Sequence, residues 1–188
     1  MQPASAPLLT TERLDLWLPG RGDFEAMVTI LADPATHRHL GPQRGPADNF
    51  APFFRNAGSW LIYGYGMFMM RLRGRPELIG NCGIFHSWRG LGPDFDDMPE
   101  AGWILAADHT GSGLAREAME AALAWFDREH GPRRIVCMIA PGNTPSLRLA
   151  AALGFTAMRD AALPGAEAVR LFERPRGPGT APVYRPIS

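Results

Sequence analysis

The densest chemistry in the chain lies in residues 107–118, which read ADHTGSGLAREA. Gly111 and Gly113 stand directly ahead of an apolar pattern with helical spacing, and the apolar run WILAA (103–107) comes just before them. A buried strand, a glycine turn and a long helix are the elements this order predicts. The first backbone N–H groups of a helix have no partner inside it, and the aligned peptide dipoles make that end positive. Glycines leave room for close approach. The chemistry of such a turn is anion binding, a pyrophosphate above all.

Two familiar phosphate patterns fail. A P-loop needs a lysine after its glycines, and this chain has none: all 19 basic residues are arginine. Schiff-base chemistry on a lysine is excluded for the same reason. The dinucleotide pattern G-x-G-x-x-G fails because Arg116 occupies the third glycine position. The pyrophosphate of coenzyme A is the best remaining candidate.

Three segments carry a resemblance to a known family. TGSGLA (110–115) is similar, from its fourth position on, to the Gln/Arg-x-x-Gly-x-Gly/Ala motif of the GNAT acetyltransferases, with Thr110 where the family has Gln or Arg. LTTERLDL (9–16) resembles the opening strand of the branch that includes the ribosomal-protein N-terminal acetyltransferases. NTPS (143–146) with LGF (153–155) resembles that branch's Asn-x-x-Ser and Leu-Gly-Phe signature. The likeness runs over residues 8–174.

The resemblance implies acetyl-CoA as donor, a primary amine as acceptor (a protein N-terminus or a small amine) and direct attack in a ternary complex. It implies backbone contacts from Leu105 to pantetheine, and from Gly111, Ser112, Gly113, Leu114 and Ala115 to pyrophosphate, with Thr110 in the same cradle. Asn143 would hydrogen-bond pantetheine; it also reads as a helix cap, with Thr144 as rival cap because Pro145 then takes the first helical position. Ser146 would protonate the departing thiolate, or bond its own backbone. Glu100 is the first candidate base and His86 the second. Outside catalysis, Glu100 reads as a strand-edge charge. His109 either helps bind the anion or is exposed. No metal is expected. The likeness allows a homodimer.

These residues need a scaffold. The pattern predicts a strand over 8–18, a helix from Asp23 to near Pro34, turns over 34–46, a helix over 48–61, and a hairpin of strands 67–72 and 78–88. A loop over 91–99, a strand over 101–106, a helix over 114–130, a strand over 134–139, a helix over 143–153 and strands near 155–158 and 168–172 follow. The strand-helix-strand unit at 101–139 requires parallel strands, and the hairpin antiparallel ones. The fold class is therefore α/β with a mixed sheet. The resemblance makes it mostly antiparallel, with a central parallel pair that splays apart and helices on both faces.

The 188 residues suit one domain with a core over about 8–174 and a Pro/Gly-rich tail (175–188) that Val183 and Tyr184 could tie down. Net charge is zero, which argues against a nucleic-acid partner. No secretory leader and no membrane-spanning run is read, so the cytoplasm is the expected location. Cys82 and Cys137 sit among apolar residues and read as buried and inert, Met67–Met70 as core, and Trp88 and the aromatic residues of 50–60 as core or acceptor-site wall. Asp94, Asp96, Asp97 and Glu100 form an acidic run that could draw in a cationic amine. An alternative function keeps the cradle without catalysis, as an acyl-CoA-binding module; a nucleotide-binding α/β protein is a third.

Overall fold

The computed structural model describes residues 6–163 and 168–176. Val183 and Tyr184 lie outside them. Among the described residues eight strands form one sheet in the order β1-β2-β3-β4-β5-β6-β8-β7. The strands are β1 (Leu9–Thr10), β2 (Leu14–Trp17), β3 (Met67–Leu72), β4 (Leu78–Ser87), β5 (Met98–Leu105), β6 (Ile135–Ile139), β7 (Thr156–Ala162) and β8 (Ala168–Arg174). Every neighbouring pair is antiparallel except β5 and β6. The helices are α1 (Asp23–Ala32), α2 (Pro34–His37), α3 (Pro46–Tyr63), α4 (Leu114–His130) and α5 (Thr144–Ala152), and a 3-10 turn covers Ala107–His109.

Burial explains the order. Strands β3 and β4 are apolar on both faces because both faces are covered. On one face α4 sets Ala118, Met119, Ala122 and Phe126 against Leu14, Leu16, Phe68, Cys82 and Ile84. Each such large side chain contributes about 1.5–3 kcal/mol on leaving water. On the other face Met27 of α1 packs with Met67, Met69 and Phe85, and Phe53 of α3 leans on them. A third cluster (Leu91, Phe95, Val136, Leu171) seats the loop before β5 on β6 and β8.

Several boundaries differ from the sequence pattern; α3 and β7, for example, run longer than expected. The first strand breaks in two, because Thr11 N–H donates to Leu14 O (2.8 Å) and Leu14 N–H donates to Thr11 Oγ1 (3.0 Å), turning the chain into the β1-β2 hairpin. Residues 34–37 form a helical turn, capped by Asp33, whose carboxylate accepts from Ala35 and Thr36 N–H. Strand β5 starts at Met98, inside the expected loop, because Asp96 gathers that loop tightly: its carboxylate accepts from the N–H groups of Arg89, Gly90 and Gly92. No described helix is long and apolar enough to cross a membrane.

Candidate active site

Strands β5 and β6 share one registered pair, Glu100 with Val136, at their N-terminal ends. Past it they diverge, and the N-termini of α4 and α5 flank the opening. Two cavities occupy the gap. The first, about 420 Å³, is lined by Leu105, the glycine turn and the start of α5. The second, about 210 Å³, runs along β5 toward Glu100 and Arg89. His39, Leu40, Trp103, Ile104, Asn143 and Ser146 line both, so the cavities adjoin at these side chains.

The cradle of the first cavity is built by backbone conformation. Gly111 and Gly113 have φ of 75° and 81°, in the left-handed region that residues with a Cβ rarely enter. Thr110 Oγ1 donates to Ala107 O (2.8 Å), closing the turn from within. Thr110, Gly111, Gly113, Leu114 and Ala115 all line the cavity, with Arg38 and Arg116. No carboxylate does, among the described residues. Amides, a helix N-terminus and two guanidinium groups make a wall that suits a pyrophosphate.

Ser112 does not line the cavity. Its carbonyl faces the other way and accepts from Arg13 Nη1 (2.9 Å), while its hydroxyl donates to His109 O (2.7 Å). His109 likewise lies off the lining. Arg13 is in turn held by Glu117, whose carboxylate accepts from Arg13 Nε (2.6 Å), Arg13 N–H (2.9 Å) and Thr11 Oγ1 (2.6 Å). Burial alone would raise the Glu117 pKa, but these donors outweigh it and hold the carboxyl below its usual range. The β1-β2 hairpin thus clamps the outer edge of the turn.

Asn143 caps α5, its Oδ1 accepting from Ser146 N–H (3.2 Å), so the cap falls on Asn143 and not on Thr144. Its amide nitrogen is not used by that bond. Ser146 Oγ accepts from Trp103 Nε1 (3.1 Å). With a donor already on its lone pair, the hydroxyl proton is free to point elsewhere. Trp103, absent from the sequence-derived candidates, orients this serine. His39 was also missed, since residues 34–46 show no periodicity.

Glu100 is 3% exposed and both its oxygens are engaged. Arg89 Nε and Nη2 donate to Oε2 (2.8 Å) and Oε1 (2.7 Å), and Ser87 Oγ donates to Oε2. It lines the second cavity as half of a buried ion pair, so it is not a strand-edge charge in solvent. His86 lies outside both cavities. Alternation along β4 sends Phe85 to the Glu100 face and His86 to the α4 face. There His86 contacts Tyr65 Oη (3.0 Å) and Asp97 (2.9 Å), stacked on Tyr63. Trp88 is 75% exposed and walls neither cavity. Burial pushes the Cys82 and Cys137 thiols up, away from the reactive thiolate. The described residues hold no cluster of three His, Cys, Asp or Glu side chains able to bind a metal.

The sheet is mixed and split at one parallel pair, and a wall that suits an anion stands at the mouth of the split. The chain belongs to the GNAT acetyltransferases: the model of the acetyltransferase (GNAT) domain matches residues 13–156. A structure from Bordetella pertussis assigned to the GnaT family is 38% identical, with a TM-score of 0.77, and the alignment covers 88% of this chain and 98% of that one. RimL, a ribosomal L7/L12 α-N-protein acetyltransferase solved with coenzyme A, shares the fold at 15% identity and a TM-score of 0.67, over 89% of this chain and 97% of that one. The uncharacterized protein YkkB of Bacillus subtilis (strain 168) is 29% identical over 92 residues, 49% of this chain. The chain spans about half of YkkB, 51% of its length.

Proposed function

We propose that the protein transfers the acetyl group of acetyl-CoA to a primary amine by direct attack in a ternary complex. The observation that carries this reading is the pair of adjoining cavities meeting at Trp103, Asn143 and Ser146. The first has a phosphate cradle and suits the donor; the second is smaller and suits an acceptor. In the reaction the amine nitrogen bonds to the thioester carbonyl carbon, the C–S bond breaks, and the thiolate takes a proton.

The chain's own residues divide the work. Backbone amides from Gly111 to Ala115, except that of Ser112, hold the pyrophosphate, with Arg38 and Arg116 beside them. Leu105 and the Asn143 amide hold the pantetheine arm. Ser146, oriented by Trp103, gives the proton to sulfur. His39, lining both cavities, takes the proton from the amine. Glu100 is committed to Arg89 and shapes the second cavity. Because both cysteines are buried, no acetyl-enzyme is proposed.

The committed Glu100 carboxylate also favours a second reading, a non-catalytic acyl-CoA-binding module. One assay separates them. Acetyl-CoA incubated with a panel of amines and N-terminal peptides releases free thiol in step with acceptor if the protein is a transferase. Tight binding of acetyl-CoA with no thiol release from any acceptor would establish the binding module. In the transferase, His39→Gln lowers kcat while acetyl-CoA still binds.

A further inference from the structure

Residues 34–45, which hold α2 and the chain after it, form an arm beside the split in the sheet. Arg38 lines the first cavity, and His39 and Leu40 line both. Within the arm Leu40 N–H donates to His37 O (2.9 Å), and His37 Nε2 meets Gly41 O (3.1 Å). Neither bond touches the His39 ring, which has no hydrogen-bond partner among the described residues. Its Cε1 lies 4.0 Å from where a Cβ on Gly142 would stand, in the turn before α5. The ring is therefore placed by the backbone that carries it.

One side chain ties that backbone to the end of β5. Thr36 Oγ1 accepts from Ala107 N–H (3.0 Å) and donates to Asp33 Oδ2 (2.7 Å). The hydroxyl proton is thus committed to the cap of α2, and a lone pair to Ala107. Ala107 opens the 3-10 turn, and the first N–H groups of a helical turn have no partner within it; Thr36 supplies one. The carbonyl of Ala107 accepts from Thr110 N–H (3.1 Å) and Thr110 Oγ1 (2.8 Å), and Thr110 lines the donor cavity. Ala107 holds the arm through its N–H and the cradle through its carbonyl. The arm's other hydrogen bonds among the described residues stay within it or run to its flanking helices. Gln43 Nε2 donates to Ala32 O (3.0 Å), and Asn49 Nδ2 to Arg44 O (3.1 Å).

The link from Thr36 to His39 is short. Arg38 keeps helical φ and ψ (−42° and −33°), so Thr36 and His39, at positions i and i+3, share one face of the arm. The bond that holds Thr36 to Ala107 sets the side from which His39 enters the cavities.

We infer that Thr36 is a positioning residue: it fastens the arm to the end of β5, so that His39 stands where the donor and acceptor cavities adjoin. The inference rests on the transferase reading with His39 as base. Misplacing a reacting group by about 1 Å lowers a rate by as much as about 10²-fold. An arm released at Thr36 still visits the right place, so a loss of about tenfold is expected.

The test is a double-mutant cycle on kcat, read as thiol release at saturating acetyl-CoA and acceptor, with active sites counted by acetyl-CoA titration. Thr36→Val keeps the side-chain shape, removes both hydroxyl bonds and is expected to lower kcat about tenfold. Thr36→Ala, a better helix former, is run in parallel and is expected to match it. Thr36→Ser keeps the hydroxyl and is expected to stay within about threefold of the parent. In the His39→Gln background Thr36→Val is expected to lower kcat by at most about twofold, because no base is left to place. A role in stability alone lowers the rate by one factor in both backgrounds, and that result would overturn the inference. So would Thr36→Val or His39→Gln at the parent's rate, or Thr36→Ser as slow as Thr36→Val; each leaves the transferase intact. Acetyl-CoA binding with no acceptor releasing thiol would overturn both.

Discussion

Replacing Glu117 by Ala tests how the β1-β2 hairpin supports the donor cradle. The substitution removes three hydrogen bonds to one carboxylate, two from Arg13 and one from Thr11. It also frees Arg13 Nη1 from its place on Ser112 O. Hydrogen bonds to a charged group contribute about 1.5–3 kcal/mol when shielded. The Arg13 side chain is 45% exposed and Glu117 19%, so water screens the ion pair toward the low end. A net loss of about 2–3 kcal/mol follows, and at this chain length that lowers Tm by about 4–12 °C. Alanine is a good helix former, so α4 itself should persist. The functional effect is separate: with Ser112 unclamped the neighbouring amides lose their fixed direction, and the Kd for acetyl-CoA rises about tenfold, while kcat at saturating donor stays near the parent's. Thermal melts and calorimetric titration read the two effects. Because the folded carboxyl has a depressed pKa, its contribution is present above the unfolded pKa, near 4.3, and is lost as pH falls through the folded value. A lowered Tm with donor affinity unchanged would refute the clamp.

Ser146→Ala should lower kcat by about 10–100-fold, at the weak end of general-acid effects because a thiolate leaves readily, with little change in acetyl-CoA Kd; steady-state kinetics with calorimetry check both. Asn143→Ala removes a helix cap and should cost about 1 kcal/mol. Asn143→Ser keeps the cap and loses the amide, so its stability should hold while the donor KM rises, as thermal melts and kinetics will show. His130 sits among Tyr65, Trp125 and Phe126 with Nε2 buried and unpartnered, and burial pushes its pKa down. Its folded pKa being the lower one, it contributes stability above the unfolded value near 6.5 that is lost as pH falls through the folded value. Tm measured from pH 7.5 to 5 should therefore fall less in His130→Phe than in the parent.

The cradle was legible in the sequence because the φ of Gly111 and Gly113 demands glycine and the helix behind them has a clear apolar period. The splayed parallel pair followed from the strand-helix-strand order and the family likeness. What stayed hidden depends on contacts distant in sequence. Arg13 reaches Ser112 across 99 residues, and no local pattern announces it. Arg89, just past the end of β4, reaches Glu100 on the neighbouring strand, a pairing that no local sequence pattern announces. His39 lies in an aperiodic stretch between two helices. One signal was present and unused: His86 follows Phe85 in a strand of period two, so a residue facing Glu100 at position 85 places His86 on the opposite face.

The central claim is that the amides opening α4 bind the pyrophosphate of coenzyme A. A crystal structure of the protein with coenzyme A tests it most directly. The account predicts both phosphates within hydrogen-bonding distance of the Gly111, Gly113, Leu114 and Ala115 N–H groups, with the thiol near Ser146. Phosphates bound elsewhere, with this turn left empty, would contradict it.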